Sequence, residues 1–171
     1  MIKIDRHTII QVLGGLMNKP DFLNDVDKYR IEPSDFPNSL DRYIYSAINN
    51  LYNEGEGANN IRSIDIINYL KKNDLARNSL EKENGEIYIQ DCETTGEPQN
   101  FNYYYNRLKK LNLLRDIQLT GHSVEEIYTE DILNPNYTSI NEKFDKMTID
   151  DILNWLKMEV NGYEKKFLLK N

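Results

Sequence analysis

An all-α fold is predicted, on three observations. Apolar residues recur at spacings of three and four in several separate stretches, each marking one face of a helix. The one alternating run, Ile87-Tyr88-Ile89, has no second convincing strand to pair with, so a short helix is the better reading there. The C-terminal stretch repeats in heptads, as a long helix does when it seeks a partner.

Ile9, Ile10, Leu13, Leu16 and Met17 open the chain with a first apolar helical face. Gly14 and Gly15 sit inside it. Each costs about 1 kcal/mol against alanine in a helix, so a close helix–helix approach is expected at that point. Pro20 suits the first position of a second helix carrying Phe22, Leu23 and Val26. Pro33 and Pro37 bracket a short turn that presents Phe36. Ser39 is a candidate cap for the clearest core helix, with Leu40, Tyr43, Ile44, Ala47, Ile48 and Leu51 inward and Gly55 and Gly57 ending it. Ser63 is a candidate cap for the next helix, with Ile66, Ile67 and Leu70 inward. Residues 73–86 are polar and read as a loop, with Asn84-Gly85 a turn.

Glu93 to Gln99 is a further expected loop, and the globular part is expected to end there. A long helix then starts near Asn100 or Phe101, carries Phe101, Tyr104, Tyr105, Leu108, Leu111 and Leu114, and ends near Gly121. Ser123 and Glu126 have capping-box spacing for one short helical turn. Asn134-Pro135-Asn136 is a turn, and Ile140, Phe144 and Met147 mark another short helix. The last helix is the most regular. Thr148 caps it, with Asp151 at the third position. Ile149, Leu153, Leu156, Val160, Tyr163 and Phe167 form its heptad seam, and Lys165, Lys166 and Lys170 suit its negative end.

The chain has 171 residues, 39% hydrophobic and 29% charged, enough for a core. No apolar run approaches the roughly 20 residues of a membrane helix, and the N-terminus has no apolar signal segment. A cytoplasmic location is the expectation. Net charge is −7, and residues 1–100 hold 11 Lys and Arg against 17 Asp and Glu. An acidic chain repels a polyanion, which disfavours direct nucleic-acid binding. A basic cluster at Arg107, Lys109, Lys110 and Arg115, and the run Tyr103-Tyr104-Tyr105, are the two features that could oppose this. Charged residues mostly line solvated faces, however, and three consecutive helical residues point in three directions.

No catalytic constellation is visible. His7 and His122 are far apart and lack neighbours at metal-ligand spacing. Glu125-Glu126, Glu130-Asp131 and Asp150-Asp151 stand at helix starts and turns, where capping explains them. Cys92 is the single cysteine and has no nearby cation to activate it. No Gly-x-x-x-x-Gly-Lys-Ser/Thr loop is present to cradle ATP phosphates. No cofactor and no metal are expected, and the chain is read as non-enzymatic.

From residue 9 to about residue 117 the chain resembles the N-terminal domain of DnaB-type replicative helicases. Val12-Leu13-Gly14-Gly15-Leu16-Met17 is similar to that family's first-helix signature. Asp35-Phe36 with Arg42, Ile44, Tyr45, Ala47 and Leu51 is similar to the second. Ile61, the Ile66 and Leu70 spacing, and Gly85 with Tyr88 continue the match. Asn100, Tyr104, Leu114 and Arg115 are similar to the pattern that opens the family's helical hairpin. Ile9-Ile10, Asp41 and Arg62 depart from it, in the manner of a diverged phage or prophage member.

The resemblance implies a compact bundle of about six helices over residues 1–99, a hairpin for dimerisation over 100–147, and a linker helix over 148–171. It implies self-association through Tyr104, Leu108, Leu111, Leu114 and Arg115, with the Ile149–Phe167 seam as a second contact. It also implies docking of primase or a helicase loader, and a motor domain in the same polypeptide if the chain is a fragment. The alternative is a stand-alone phage adaptor or inhibitor of the same fold that binds a host helicase or primase.

Overall fold

The computed structural model describes residues 1–55 and 59–168, and these form eight α-helices and no strand. They are α1 (Arg6–Asn18), α2 (Ser39–Glu54), α3 (Ser63–Leu70), α4 (Asp74–Lys82), α5 (Gly85–Thr95), α6 (Phe101–Leu119), α7 (Tyr137–Lys146) and α8 (Ile149–Phe167). The all-α expectation holds. Gly57 and Lys170, expected to end one helix and to suit the end of another, lie outside the described residues.

Two compact units divide the chain: Ile4–Leu108, and Lys109–Asn171 joined by Met1–Lys3. This differs from the expected boundary at residue 99. Phe101, Tyr105 and Leu108 of α6 are buried in the core of the first unit, so the division falls inside that helix. Nor does the second unit separate into hairpin and linker. Leu111, Leu114, Phe144 and Ile152 share one core with Ile2, Val124 and Ile127.

α1 is the axis of the first unit. Asp5 caps it, accepting from the Thr8 amide at 3.1 Å. Val12, Leu13, Leu16 and Met17 are fully buried. The two glycines do what their cost suggested. A Cβ on Gly14 would lie 2.0 Å from the Cys92 carbonyl oxygen, and one on Gly15 would lie 2.7 Å from the Phe101 ring. Gly96 completes the crossing, since its Cβ would meet the Gly14 backbone at 2.3 Å. Side-chain amides of α1 then satisfy orphan carbonyls at the end of α5. Gln11 donates to the Thr95 carbonyl at 3.1 Å, and Asn18 donates to those of Glu93 and Gly96 at 2.9 and 2.7 Å.

Several local expectations change in detail. Pro20 opens a single 3-10 turn, Pro20–Asn24, with Phe22 stacked on Phe101 at 4.1 Å and Val26 exposed. Asn38, not Ser39, occupies the cap of α2. The entry turn is tied by Arg42, which donates to the Phe36 and Pro37 carbonyls at 2.8 Å each. Arg62, not Ser63, caps α3, its amide donating to Asp65 at 3.1 Å. The expected loop at 73–86 contains α4, capped by Asn73 and anchored by buried Ala76 and Leu80. The helix expected around Ile87–Ile89 runs on to Thr95, through part of the expected loop at 93–99. Asn84 adopts the left-handed conformation before it, at φ 52°.

In the second unit, α6 ends in a Schellman arrangement. Gly121 has φ 88°, its amide bonds to the Gln118 carbonyl, and that of His122 bonds to the Ile117 carbonyl. The short helix expected from Ser123 and Glu126 does not form; a turn at Glu125–Ile127 stands there, closed by the Ile127 and Tyr128 amides on the Val124 carbonyl. Phe144 of α7 and Ile152 of α8 fill the core, and the amides of Ile2 and Lys3 donate to Gln118 and Glu130.

Candidate protein-interaction surface

α8 is held firmly at its start and left bare at its end. Thr148 and Asp151 form a reciprocal capping box at 3.1 and 2.9 Å. Ile152 is fully buried, and the Trp155 indole donates to Glu126 at 3.0 Å with the His122 ring edge-on to it at 5.7 Å. Ile149, Leu153 and Leu156, the first half of the heptad seam, are half-buried. Beyond them every described residue from 160 to 168 is exposed. Val160, Tyr163 and Phe167 continue the seam into solvent at 48%, 55% and 66% exposure. Tyr163 and Phe167 stack on each other at 6.4 Å, and the Lys166 ammonium sits 5.2 Å from the Phe167 ring. Such a stripe is unusual on a helix with no partner, because its apolar area remains in water.

The five residues expected to form an interface on α6 are placed differently. Leu108 is buried in the first unit's core, and Leu111 and Leu114 in the second's, at 2%, 1% and 0% exposure. These three leucines are core positions of the chain itself and do not form a surface. The same period of three and four arises whether a helix is covered by its own chain or by another. Tyr104 remains half-exposed, its hydroxyl 3.1 Å from His7 Nε2. Arg115 is also half-buried and donates to Asn112 and to the Lys3 carbonyl.

The features that could serve nucleic-acid binding do not assemble. Tyr105 is buried, its hydroxyl accepting from the Arg30 amide, while Tyr103 is exposed. Arg107 pairs with Asp5 at 3.0 Å, and buried Lys110 donates to the Phe144 and Asp145 carbonyls at the end of α7, at 2.8 and 3.3 Å. Arg107, Lys110 and Arg115 are thus each engaged by groups of the chain itself.

One polar network escaped the sequence reading. Asp41, fully buried on α2, accepts from Arg6 at 2.7 and 3.3 Å and from the Tyr88 hydroxyl at 2.6 Å. Burial, the Cys92 sulfur and the Asp41 carboxylate push the Tyr88 phenol well above its usual range. The Cys92 thiol is pushed up to about 12, chiefly by burial. These groups are inert at neutral pH and tie α1, α2 and α5 together. Among the described residues, no group of three or more His, Cys, Asp or Glu is gathered as metal ligands, and no helix is long and apolar enough to cross a membrane.

Comparison with known proteins gives two findings. Residues 10–110 match the family model described as "DnaB-like helicase N terminal domain", a span that nearly coincides with the first compact unit. The chain is also 34% identical, over 164 residues, to the SPbeta prophage-derived uncharacterized protein YorI of Bacillus subtilis (strain 168). That alignment covers 95% of this chain and 32% of the relative, so the chain spans about a third of the relative's length. No solved structure matches.

Proposed function

This chain belongs to the family of DnaB-like helicase N-terminal domains, and on that premise we propose that it is the collar portion of a replicative helicase. In this reading it has no chemistry of its own. It associates with further subunits and offers a rigid platform on which primase or a helicase loader docks. The observation that carries the reading is α8. Its apolar seam runs past the chain's own core into solvent, as it must if another polypeptide covers it. With only Tyr104 and Arg115 of the five expected α6 interface residues left partly at the surface, α8 is the proposed association element. The first unit is the proposed docking platform, its helices locked by the Gly14–Gly96 crossing and the Asp41 network.

The test is a titration of the chain with the helicase-binding domain of the primase from the same source, followed by light scattering and calorimetry. An assembly larger than one chain, binding that domain saturably, is expected. A chain that stays monomeric and binds nothing would overturn the proposal.

A further inference from the structure

We propose that the turn Asp131–Asn134 is a docking knob for a basic amphipathic helix of another protein. The proposal does not rest on α8 and stands whether or not the chain assembles into a collar.

Ile132 and Leu133 are the most exposed large apolar side chains among the described residues, at 77% and 86%. They occupy the two central positions of a turn closed by the Asn134 amide on the Asp131 carbonyl, at 3.0 Å. Such positions ordinarily hold glycine, proline, asparagine, aspartate or serine. Turn chemistry therefore does not call for this pair, and the core of the second unit does not cover it.

The turn is held firmly. Asp131 accepts from the Leu133 amide at 2.9 Å. Buried Thr129 donates to Glu125 at 2.6 Å and accepts from the Asp131 amide at 3.1 Å. Asn141 of α7 clasps both the amide and the carbonyl of Thr129, at 3.1 and 2.9 Å. On the far side the Asn136 and Tyr137 amides close on Asn134, at 2.8 and 2.9 Å. A knob fixed beforehand gives up little conformational freedom on binding.

The surrounding charge selects the partner. Residues 116–142 hold six Asp and Glu and no Lys or Arg. Four of these acids, Glu125, Glu126, Glu130 and Asp131, stand exposed in the loop that carries the knob. They accept from neutral donors: the Thr129 hydroxyl, the Trp155 indole, and the Lys3 and Leu133 amides. Among the described residues no lysine or arginine forms an ion pair with any of them, and Lys3 lends Glu130 its amide rather than its ammonium. Uncompensated negative charge around an apolar knob repels nucleic acid and anionic lipid, and it matches an apolar face edged by lysine and arginine. A helix offers such a face, with holes between four side chains that an isoleucine or leucine fills.

The probe is a synthetic amphipathic helix of leucine and lysine, titrated into the 171-residue chain and read by fluorescence anisotropy. A leucine–glutamate analogue and vesicles of anionic lipid run beside it. The lysine peptide is expected to bind, more weakly at high salt, and the other two not to bind. Ile132→Ser with Leu133→Ser should weaken it about tenfold or more, which is what burying one aliphatic side chain contributes. Glu130→Gln with Asp131→Asn keeps acceptor oxygens for the Lys3 and Leu133 amides but removes the charge, so it should weaken binding and flatten the salt dependence. Circular dichroism checks that both variants keep the fold, and Leu133→Ser alone replaces the first pair if it does not. A lysine peptide that fails to bind, or binds both variants as it binds the wild type, would overturn the proposal. So would equal binding of the glutamate analogue. Binding lost only in Val160→Asp, Phe167→Asp would assign the peptide to α8, and attachment to the vesicles would make the knob a lipid anchor; either result also overturns it.

Discussion

Replacing Gly14 with alanine isolates the contact on which the first unit depends. The added Cβ would stand 2.0 Å from the Cys92 carbonyl oxygen, 2.7 Å from Gly96 Cα and 2.9 Å from the Cys92 carbonyl carbon. All three are backbone atoms, so no flexible side chain can step aside. α1 and α5 must separate by more than 1 Å to restore ordinary contact. That would also stretch the Gln11 and Asn18 bonds to the end of α5. Overpacking of this kind costs about 3 kcal/mol, near the upper end for buried sites. Alanine's better helix propensity returns about 1 kcal/mol. The net loss of about 2 kcal/mol lowers the melting temperature by roughly 4–8 °C for a chain of this length. Gly162→Ala on α8 is the matched control. Nothing lies within 4 Å of its added Cβ, so it should leave the melting temperature unchanged or raise it. Thermal melts followed by circular dichroism read both. A Gly14→Ala protein that melts at or above the wild type would refute the close-crossing argument.

Other outcomes follow from the polar groups. Tyr88→Phe removes the 2.6 Å donor to buried Asp41 and should cost about 1.5–3 kcal/mol in urea unfolding; a loss under about 0.5 kcal/mol would show that Arg6 alone satisfies the carboxylate. For Asp5, burial alone would raise the pKa, but the Thr8 amide, the Arg107 guanidinium and the Thr8 hydroxyl together hold it below its usual 3.8. A lowered folded value gives a contribution fully present above that pKa and lost as pH falls through the folded one. Asp5→Asn should therefore lower stability at pH 7 and narrow its gap to wild type as pH falls below about 4; a gap unchanged across that range in acid-unfolding curves would exclude the linkage. Cys92, buried with its thiol pushed up to about 12, should resist a disulfide reagent at pH 8 until urea unfolds the first unit; rapid labelling of the native protein would contradict its burial.

Long, strongly periodic helices were legible in the sequence. α1, α2, α6 and α8 each carry enough apolar turns to declare a face, and the glycine pair in α1 announced a close crossing. α4 was hidden because only Ala76 and Leu80 anchor it, while Leu75 lies exposed and blurs the face. The sequence shows α5 as too short because Glu93 and Thr94 look like the start of a loop, although Ile89 and Cys92 just before them are fully buried. On α8 Ile152, the residue that docks the helix, lies one position off the heptad seam, where the periodicity does not mark it. The α6 leucines mark the deeper limit. Periodicity shows that a face is covered, but only the packing shows by what.

The most direct measurement is the mass of the chain in solution by light scattering across a concentration series, for the wild type and for the double variant Val160→Asp, Phe167→Asp. Both residues are exposed, so the variant should keep its helical circular dichroism. The account predicts a wild type larger than one chain and a folded, monomeric variant. The same mass for both proteins would contradict it, by showing that the bare end of α8 does not hold the assembly together.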